Sequence, residues 1–258
     1  DRGEIAAARQ HGIPDLVHED ELRGELHAHS TWSDGKASVE AMARAAIDFG
    51  MEYLVISDHS RSLGIANGLS IERLQQQRKE IQRVQKKLGK GFHLLQGSEV
   101  EILADGSLDY PDEVLAQLDI VIASLHTSLT QPRQQITQRL LNAVRNPHVD
   151  MIGHLTGRLI NKRDPADVDV EAILSAGVEH GVVFEINANA ERLDLKDSHA
   201  KMALELGCML AINTDAHHPE HYGYRRYGVG TARRAWAPAQ SVLNTFSYDR
   251  LQAWLKQH

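Results

Sequence analysis

Cysteine is nearly absent. Cys208 is the only one in 258 residues, so no intrachain disulfide can form and nothing points to an oxidising compartment. Long hydrophobic runs are missing as well: the apolar stretches are strand-sized, which leaves no candidate membrane span, and no basic-then-apolar leader is visible. We therefore expect a soluble, cytoplasmic protein with no membrane partner. No run of Pro, Gly or Ser is long enough to link domains, and 258 residues with 42% hydrophobic content suffice for a full core, so residues 1–258 are expected to form a single domain. Positive charge is in deficit. A net charge of −7 argues against a strong, autonomous, non-specific nucleic-acid binder, which carries a basic face for phosphates. It leaves room for a small basic rim, for which Arg225, Arg226, Arg233 and Arg234, with Arg158, Lys162 and Arg163, are candidates. The first residue is Asp1 rather than methionine, which suggests a fragment and a missing N-terminal partner domain.

What is present is a succession of metal-ligating side chains at the ends of short, β-branched hydrophobic runs. The run 25–29 carries His27 and His29, followed by Asp34; 53–57 leads to Asp58 and His59; 94–98 leads to Glu99; 120–125 leads to His126; 149–153 leads to His154; and 209–214 leads to Asp215 and His217. Residues 27 and 29 are two apart, so on a strand both imidazoles point to the same side and can grip one ion. Imidazole and carboxylate are ligands of zinc, manganese and iron, and burying so many of them without a shared partner would be costly. Placed at the ends of parallel strands, they would converge on one mouth of a barrel.

Between these runs the apolar spacing turns helical. Val39, Met42, Ala43, Ala46 and Ile47 repeat at three- and four-residue steps with Gly50 as a stop, and a second helix is expected from the N-cap Ser70 to Gly89. Further helices are expected at 111–117, 133–145, 168–180, 197–206 and 239–256, and a further strand at 182–186, ending at Asn187. Strand and helix thus alternate through seven units, the pattern of an α/β protein: an irregular, seven-stranded, TIM-like (β/α)7 barrel with helices outside. Residues 1–23 would pack on the outside before the first strand.

The strings 26–35 (Leu-His-Ala-His-Ser-Thr-Trp-Ser-Asp-Gly), 57–60 (Ser-Asp-His-Ser), 97–102 (Gly-Ser-Glu-Val-Glu-Ile), 123–126 (Ala-Ser-Leu-His), 153–154 (Gly-His) and 213–217 (Asn-Thr-Asp-Ala-His) resemble the motifs of the PHP (polymerase and histidinol phosphatase) phosphoesterases. With Asp105-Gly-Ser-Leu-Asp109, Gly153 to Arg158, Glu185 to Asn189, Arg192 to Asp194 and Tyr227 to Trp236, the chain is most similar to the C-terminal PHP domain of bacterial and archaeal family-X DNA polymerases. The resemblance implies three divalent ions, Zn, Mn or Fe. His27, His29, Glu99 and Asp215 would hold the first, Glu99, His126 and His154 the second, and Asp34, His59 and His217 the third. Some relatives have histidine in place of Asp34, so the oxygen-richer third site should favour manganese or iron.

Two ions about 3.5–4 Å apart acidify a bridging water and clamp the entering and leaving oxygens of a phosphate, which makes Glu99 and Asp215 the expected catalytic carboxylates and dispenses with a protein nucleophile. Arg61 and Arg158, just beyond ligand-bearing strands, are candidates to grip phosphate. Asp58 is expected to orient a neighbour; Asn187 and Asn189 to bind a water or substrate oxygen or to form a turn; His218 or His221 to serve as general acid or to face solvent. The expected function is phosphate-ester hydrolysis, with 3′–5′ exonuclease or other DNA 3′-end processing implied by the resemblance, and a fused or missing polymerase domain as partner. Promiscuous hydrolysis of small phosphate mono-, di- or triesters, or sulfate esters, is the alternative. A non-catalytic scaffold for a polymerase is a further one, which lost ligands would mark, and none is lost.

Overall fold

The structure is a computed structural model that describes residues 3–10, 12 and 14–256. Asp1, Arg2, His11 and Ile13 of the expected outer segment, with Gln257 and His258, lie outside the described residues. Seven strands, β1 (Gly24–Ala28), β2 (Tyr53–Ile56), β3 (His93–Glu101), β4 (Ile120–Ser124), β5 (Met151–Ile152), β6 (Val183–Asn187) and β7 (Leu210–Asn213), form one parallel sheet in chain order. A bridge between Ala28 and Ala216, with His29 N–H donating to the Ala216 carbonyl at 2.8 Å, draws the two edges together into a nearly closed barrel.

The continuous apolar runs follow from burial on both faces. Along β2, Tyr53 and Val55 point inward to pack with Leu95, Ile122, Met151, Val183 and Ala211, while Leu54 and Ile56 point outward to the helices. The same alternation turns Glu99 and Glu101 of β3 and Glu185 and Asn187 of β6 inward, toward the end of the barrel where the strands finish.

The helices are α1 (Glu4–Arg9), α2 (Val39–Asp48), α3 (Ile71–Leu88), α4 (Asp112–Leu115), α5 (Arg133–Val144), α6 (Val170–His180), α7 (Asp197–Leu206), α8 (Arg225–Arg234) and α9 (Tyr248–Leu255). Ser38 and Ser70 cap α2 and α3 by accepting from Ala41 N–H and Arg73 N–H.

Three features differ from the sequence reading. Glu99 lies inside β3 rather than beyond its end. The helix expected over 239–256 is instead two 3-10 turns, Ala239–Ser241 and Leu243–Thr245, followed by α9. Asn244 breaks it: its Oδ1 accepts from Ile212 N–H at 2.7 Å and its Nδ2 donates to Asn213 Oδ1 at 2.9 Å, plugging the barrel floor. Finally, α8 forms despite Gly228 and Gly230, because Gly228 lets it lie on the sheet; a Cβ there would sit 2.6 Å from Ile212 Cγ2 and 2.8 Å from Ala188 Cβ.

Candidate metal centre

Glu99 is the hub. Its side chain is 1% exposed, and its Oε1 lies 2.8 Å from His154 Nε2 and 3.2 Å from His126 Nε2. Its Oε2 lies 3.0 Å from His59 Nδ1, 3.3 Å from His27 Nε2 and 3.5 Å from His29 Nε2. Four strand units therefore deliver five imidazoles to one carboxyl group. Asp215, just past β7, sets Oδ1 3.1 Å from His29 Nε2 and 3.7 Å from His27 Nε2, while Asp34 Oδ1 sits 3.3 Å from His217 Nε2 and 3.6 Å from His59 Nε2. His154 and Asp215 have φ of 36° and 52°, left-handed values that an L residue adopts at a cost and that cluster at functional sites.

Three groups of these side chains bring one donor atom each within 4.8 Å of one another: His27, His29, Glu99 and Asp215; His29, Asp34, His59 and His217; and His59, Glu99 and His126. The first is the set expected from the sequence. The last brings His59 beside Glu99 and His126, its ring reaching Glu99 with one nitrogen and Asp34 with the other. His154 meets the Glu99 carboxylate at 2.8 Å and packs edge-on against the His126 ring, their centroids 5.2 Å apart.

His27 Nε2, both ring nitrogens of His29 and His154, His59 Nδ1, both Glu99 oxygens and Asp215 Oδ1 are buried and make no hydrogen bond. Lone pairs desolvated in this number and aimed at common points are the donor set of divalent cations, so these residues fit such ions.

A further layer of carboxylates holds the imidazoles from behind, the arrangement that fixes ring orientation at metal sites. His27 Nδ1 lies 2.7 Å from Glu185 Oε1, and His126 Nδ1 lies 2.7 Å from Glu101 Oε2. Asp58 accepts from Ser30 Oγ–H at 2.6 Å, Ser30 N–H at 2.8 Å and Gln77 Nε2–H at 2.6 Å, which shapes the segment leading to Asp34. The charges are strongly coupled. Burial opposes protonation of His27, but Glu185, Glu99 and Asp215 outweigh it and carry its pKa well above the ordinary value. Burial likewise opposes protonation of His126 and His217, yet Glu99 with Glu101, and Asp34 with Asp215, push them up to about 9. His29, buried and next to His217 and His59, falls to about 3. Burial also opposes ionisation of Glu99 and Asp215, and the surrounding imidazoles, led by His126 and by His27 respectively, hold both well below the carboxylate range.

The remaining sequence candidates separate. Arg61 is half exposed and pairs through Nε with Asp109 Oδ1 at 3.3 Å. Arg158 spends its donors on the carbonyls of Arg192 at 2.8 Å and Leu193 at 2.5 Å. Asn187 Nδ2 donates to Asp215 Oδ2 at 3.1 Å, whereas Asn189 Oδ1 accepts from Glu191 N–H at 3.0 Å and forms a turn. His218 is half-exposed at the start of a 3-10 turn, and His221 accepts from His217 N–H at 3.3 Å through Nδ1. The proposed rim is divided. Arg225 pairs with Glu19 at 2.9 Å and Arg233 donates to the carbonyls of Leu16 and Val17, so both fasten the segment before β1 to α8. Arg158 lines one cavity of about 460 Å³ with Lys162 and Arg163, and another of about 270 Å³ with Lys196 and Arg234.

Three residues of the site, Arg192, Glu185 and Glu101, received no role in the sequence reading. Arg192, beyond β6, sets its Nε 3.5 Å from Asp215 Oδ2, and its buried Nη1 has no hydrogen-bond partner. Its position in a loop gave no periodic signal; the inward alternation of β6 could have flagged Glu185, and that of β3 Glu101.

Fold and site together define a metal-dependent phosphoesterase. The PHP-domain family model matches residues 25–189, and the chain belongs to that family. It is 45% identical over 244 residues to the DNA polymerase/3′-5′ exonuclease PolX of Bacillus subtilis (strain 168), covering 95% of this chain and 43% of that relative, so the chain spans less than half of that protein's length. It is 31% identical over 246 residues to "Probable phosphatase Teth514_1060" of Thermoanaerobacter sp. (strain X514), covering 90% of this chain and 94% of that relative. The fold is shared with a histidinol phosphate phosphatase from Lactococcus lactis solved with zinc, L-histidinol and phosphate, at a TM-score of 0.63 and 16% identity, covering 83% of this chain and 94% of the other. Among the described residues no helix is long and apolar enough to cross a membrane.

Proposed function

We propose that the chain is a trinuclear phosphoesterase that processes DNA 3′ ends, removing nucleotides in the 3′–5′ direction. The observation that carries the reading is the buried Glu99 carboxylate facing five imidazoles, both of its oxygens free of hydrogen bonds. When bound, divalent ions supply Lewis-acid polarisation of the phosphate and acidify water. His27, His29, Glu99 and Asp215 would hold one, Glu99 and His126 with His59 or His154 a second, and Asp34, His59 and His217 a third. Glu185 and Glu101 keep the rings of His27 and His126 oriented, Asn187 keeps Asp215 oriented, and Asp58 fixes the segment carrying Asp34. Arg192 has an unpaired buried donor beside Asp215, which suits it to a phosphate oxygen. Arg158 holds the backbone that carries Arg192. The 45% identity to the PolX relative supports a DNA 3′ end as substrate.

A second reading keeps the chemistry and changes the substrate to small phosphate esters. The phosphatase relative, matched over nearly its whole length, favours it. Metal-reconstituted protein tested in parallel on end-labelled DNA and chromogenic mono- and diesters separates the two: stepwise shortening from the 3′ end supports the first, and ester hydrolysis with inert DNA the second.

A further inference from the structure

Between His59 and α3 the chain makes an excursion over residues 60–69. Both ends stand on His59: Leu69 N–H donates to the His59 carbonyl at 2.8 Å, and Ser60 bridges to Leu69. Gly68 lies so close to Ser60 that a Cβ would come within 1.9 Å of its carbonyl oxygen. The flank is tied to the segment that leads to Asp34, with Asn67 Nδ2 donating to the carbonyls of Trp32 at 3.1 Å and Ser33 at 3.2 Å. The excursion therefore spans two segments bearing candidate ligands and rises from the rim of the metal centre. Its own inner residues, Ala66 and Leu69, are buried, so the backbone is held. At its tip stands Ile65, 98% exposed.

An isoleucine this exposed, on a braced loop, has no part in the core. Its loop neighbours Arg61, Ser62, Gly64 and Asn67 are exposed and polar or small, Leu63 is half-buried, and the other exposed large hydrophobics are on different segments. A protein interface is built around a contiguous apolar patch, and a lone apolar point is not one. A lone aliphatic wedge flanked by an arginine suits a nucleic-acid strand, where Ile or Leu inserts against a base while the guanidinium meets the phosphate beside it. We propose that Ile65 packs against a nucleobase at the 3′ end of a polynucleotide strand whose terminal phosphodiester enters the metal centre, with Arg61 facing the adjoining phosphate. This rests on the reading of a DNA end as substrate, and makes the loop the element that tells a strand end from a small ester.

The test measures binding of 5′-fluorescein single-stranded oligonucleotides with nuclease-resistant phosphorothioate linkages, one ending in a normal 3′ nucleotide and one in an abasic 3′ sugar. The metal-loaded 258-residue chain should prefer the normal end by about fivefold or more, Ile65→Ser should lose that preference, and Ile65→Phe should keep it. Melting temperatures of the variants control for folding. Equal loss on both oligonucleotides, no loss on either, or no oligonucleotide binding by the parent overturns the proposal. If the preference and its loss are seen while DNA is not cleaved, the contact stands and the exonuclease reading falls.

Discussion

Replacing Arg192 with alanine should separate phosphate gripping from metal holding. The side chain is 17% exposed, its Nε faces Asp215 Oδ2 at 3.5 Å, and its Nη1 is buried without a partner. A hydrogen bond to a charged group contributes about 1.5–3 kcal/mol. Losing one such bond to a phosphate oxygen in the transition state would therefore lower kcat/KM by about 10- to 150-fold. Metal content should not change, because Asp215 keeps Asn187 and the imidazoles of His27 and His29 around it. Arg192→Lys should recover little, since a point charge does not reproduce the guanidinium fork. Arg158→Ala should act in the same direction but less, by releasing the carbonyls of Arg192 and Leu193. Because both changes act on one group, the double variant should be no worse than Arg192→Ala alone. The assay is steady-state hydrolysis of a chromogenic phosphodiester alongside elemental analysis. Loss of metal in Arg192→Ala, an unchanged kcat/KM, or full additivity with Arg158→Ala would refute the reasoning.

Metal uptake should depend on pH. His126 and His217 have pKa values raised from 6.5 to about 9, so in the metal-free chain the stability of their ion pairs is present below 6.5 and lost as pH rises through about 9. Metal needs these rings neutral, so affinity measured against a chelator should climb from pH 6.5 to 9 and level off above; a flat profile contradicts this. A strand is held through several phosphates and a chromogenic diester through one, so activity on single-stranded DNA should fall far more than on the diester as salt rises to physiological strength, and equal salt sensitivity would show that the chain grips no phosphate beyond the metal centre. Gly228→Ala sets a Cβ 2.6 Å from Ile212 Cγ2, so overpacking of about 1–3 kcal/mol should outweigh the helix propensity gained and lower the melting temperature, whereas an unchanged or higher value would show that α8 can shift outward.

The barrel was legible because its rule is simple. Apolar runs of strand length alternate with helical spacing, and a two-residue period turns every second side chain to the same face. The ligand candidates were legible for the same reason: an imidazole or carboxylate where such a run stops has no apolar role. What escaped depends on pairing across the chain. Asn244 reads as one more residue of a helix until its amide meets Ile212 and Asn213. No helix is expected over 225–234 from the sequence, and α8 forms there with Gly228 pressed on Ala188. That His59 reaches Glu99 with one ring nitrogen and Asp34 with the other is a property of three dimensions. Arg192 reads as a loop arginine, and only folding sets it beside Asp215.

The most direct test of the account is metal content and activity of Glu99→Gln, a change that keeps the shape of the side chain and removes the charge shared by five imidazoles. The parent chain, saturated with manganese or zinc and washed, should retain three ions and hydrolyse a phosphodiester. The variant, with an unchanged circular dichroism spectrum, should retain at most one ion and lose hydrolysis. A parent holding fewer than one ion per chain, or a fully active Glu99→Gln, would contradict the account.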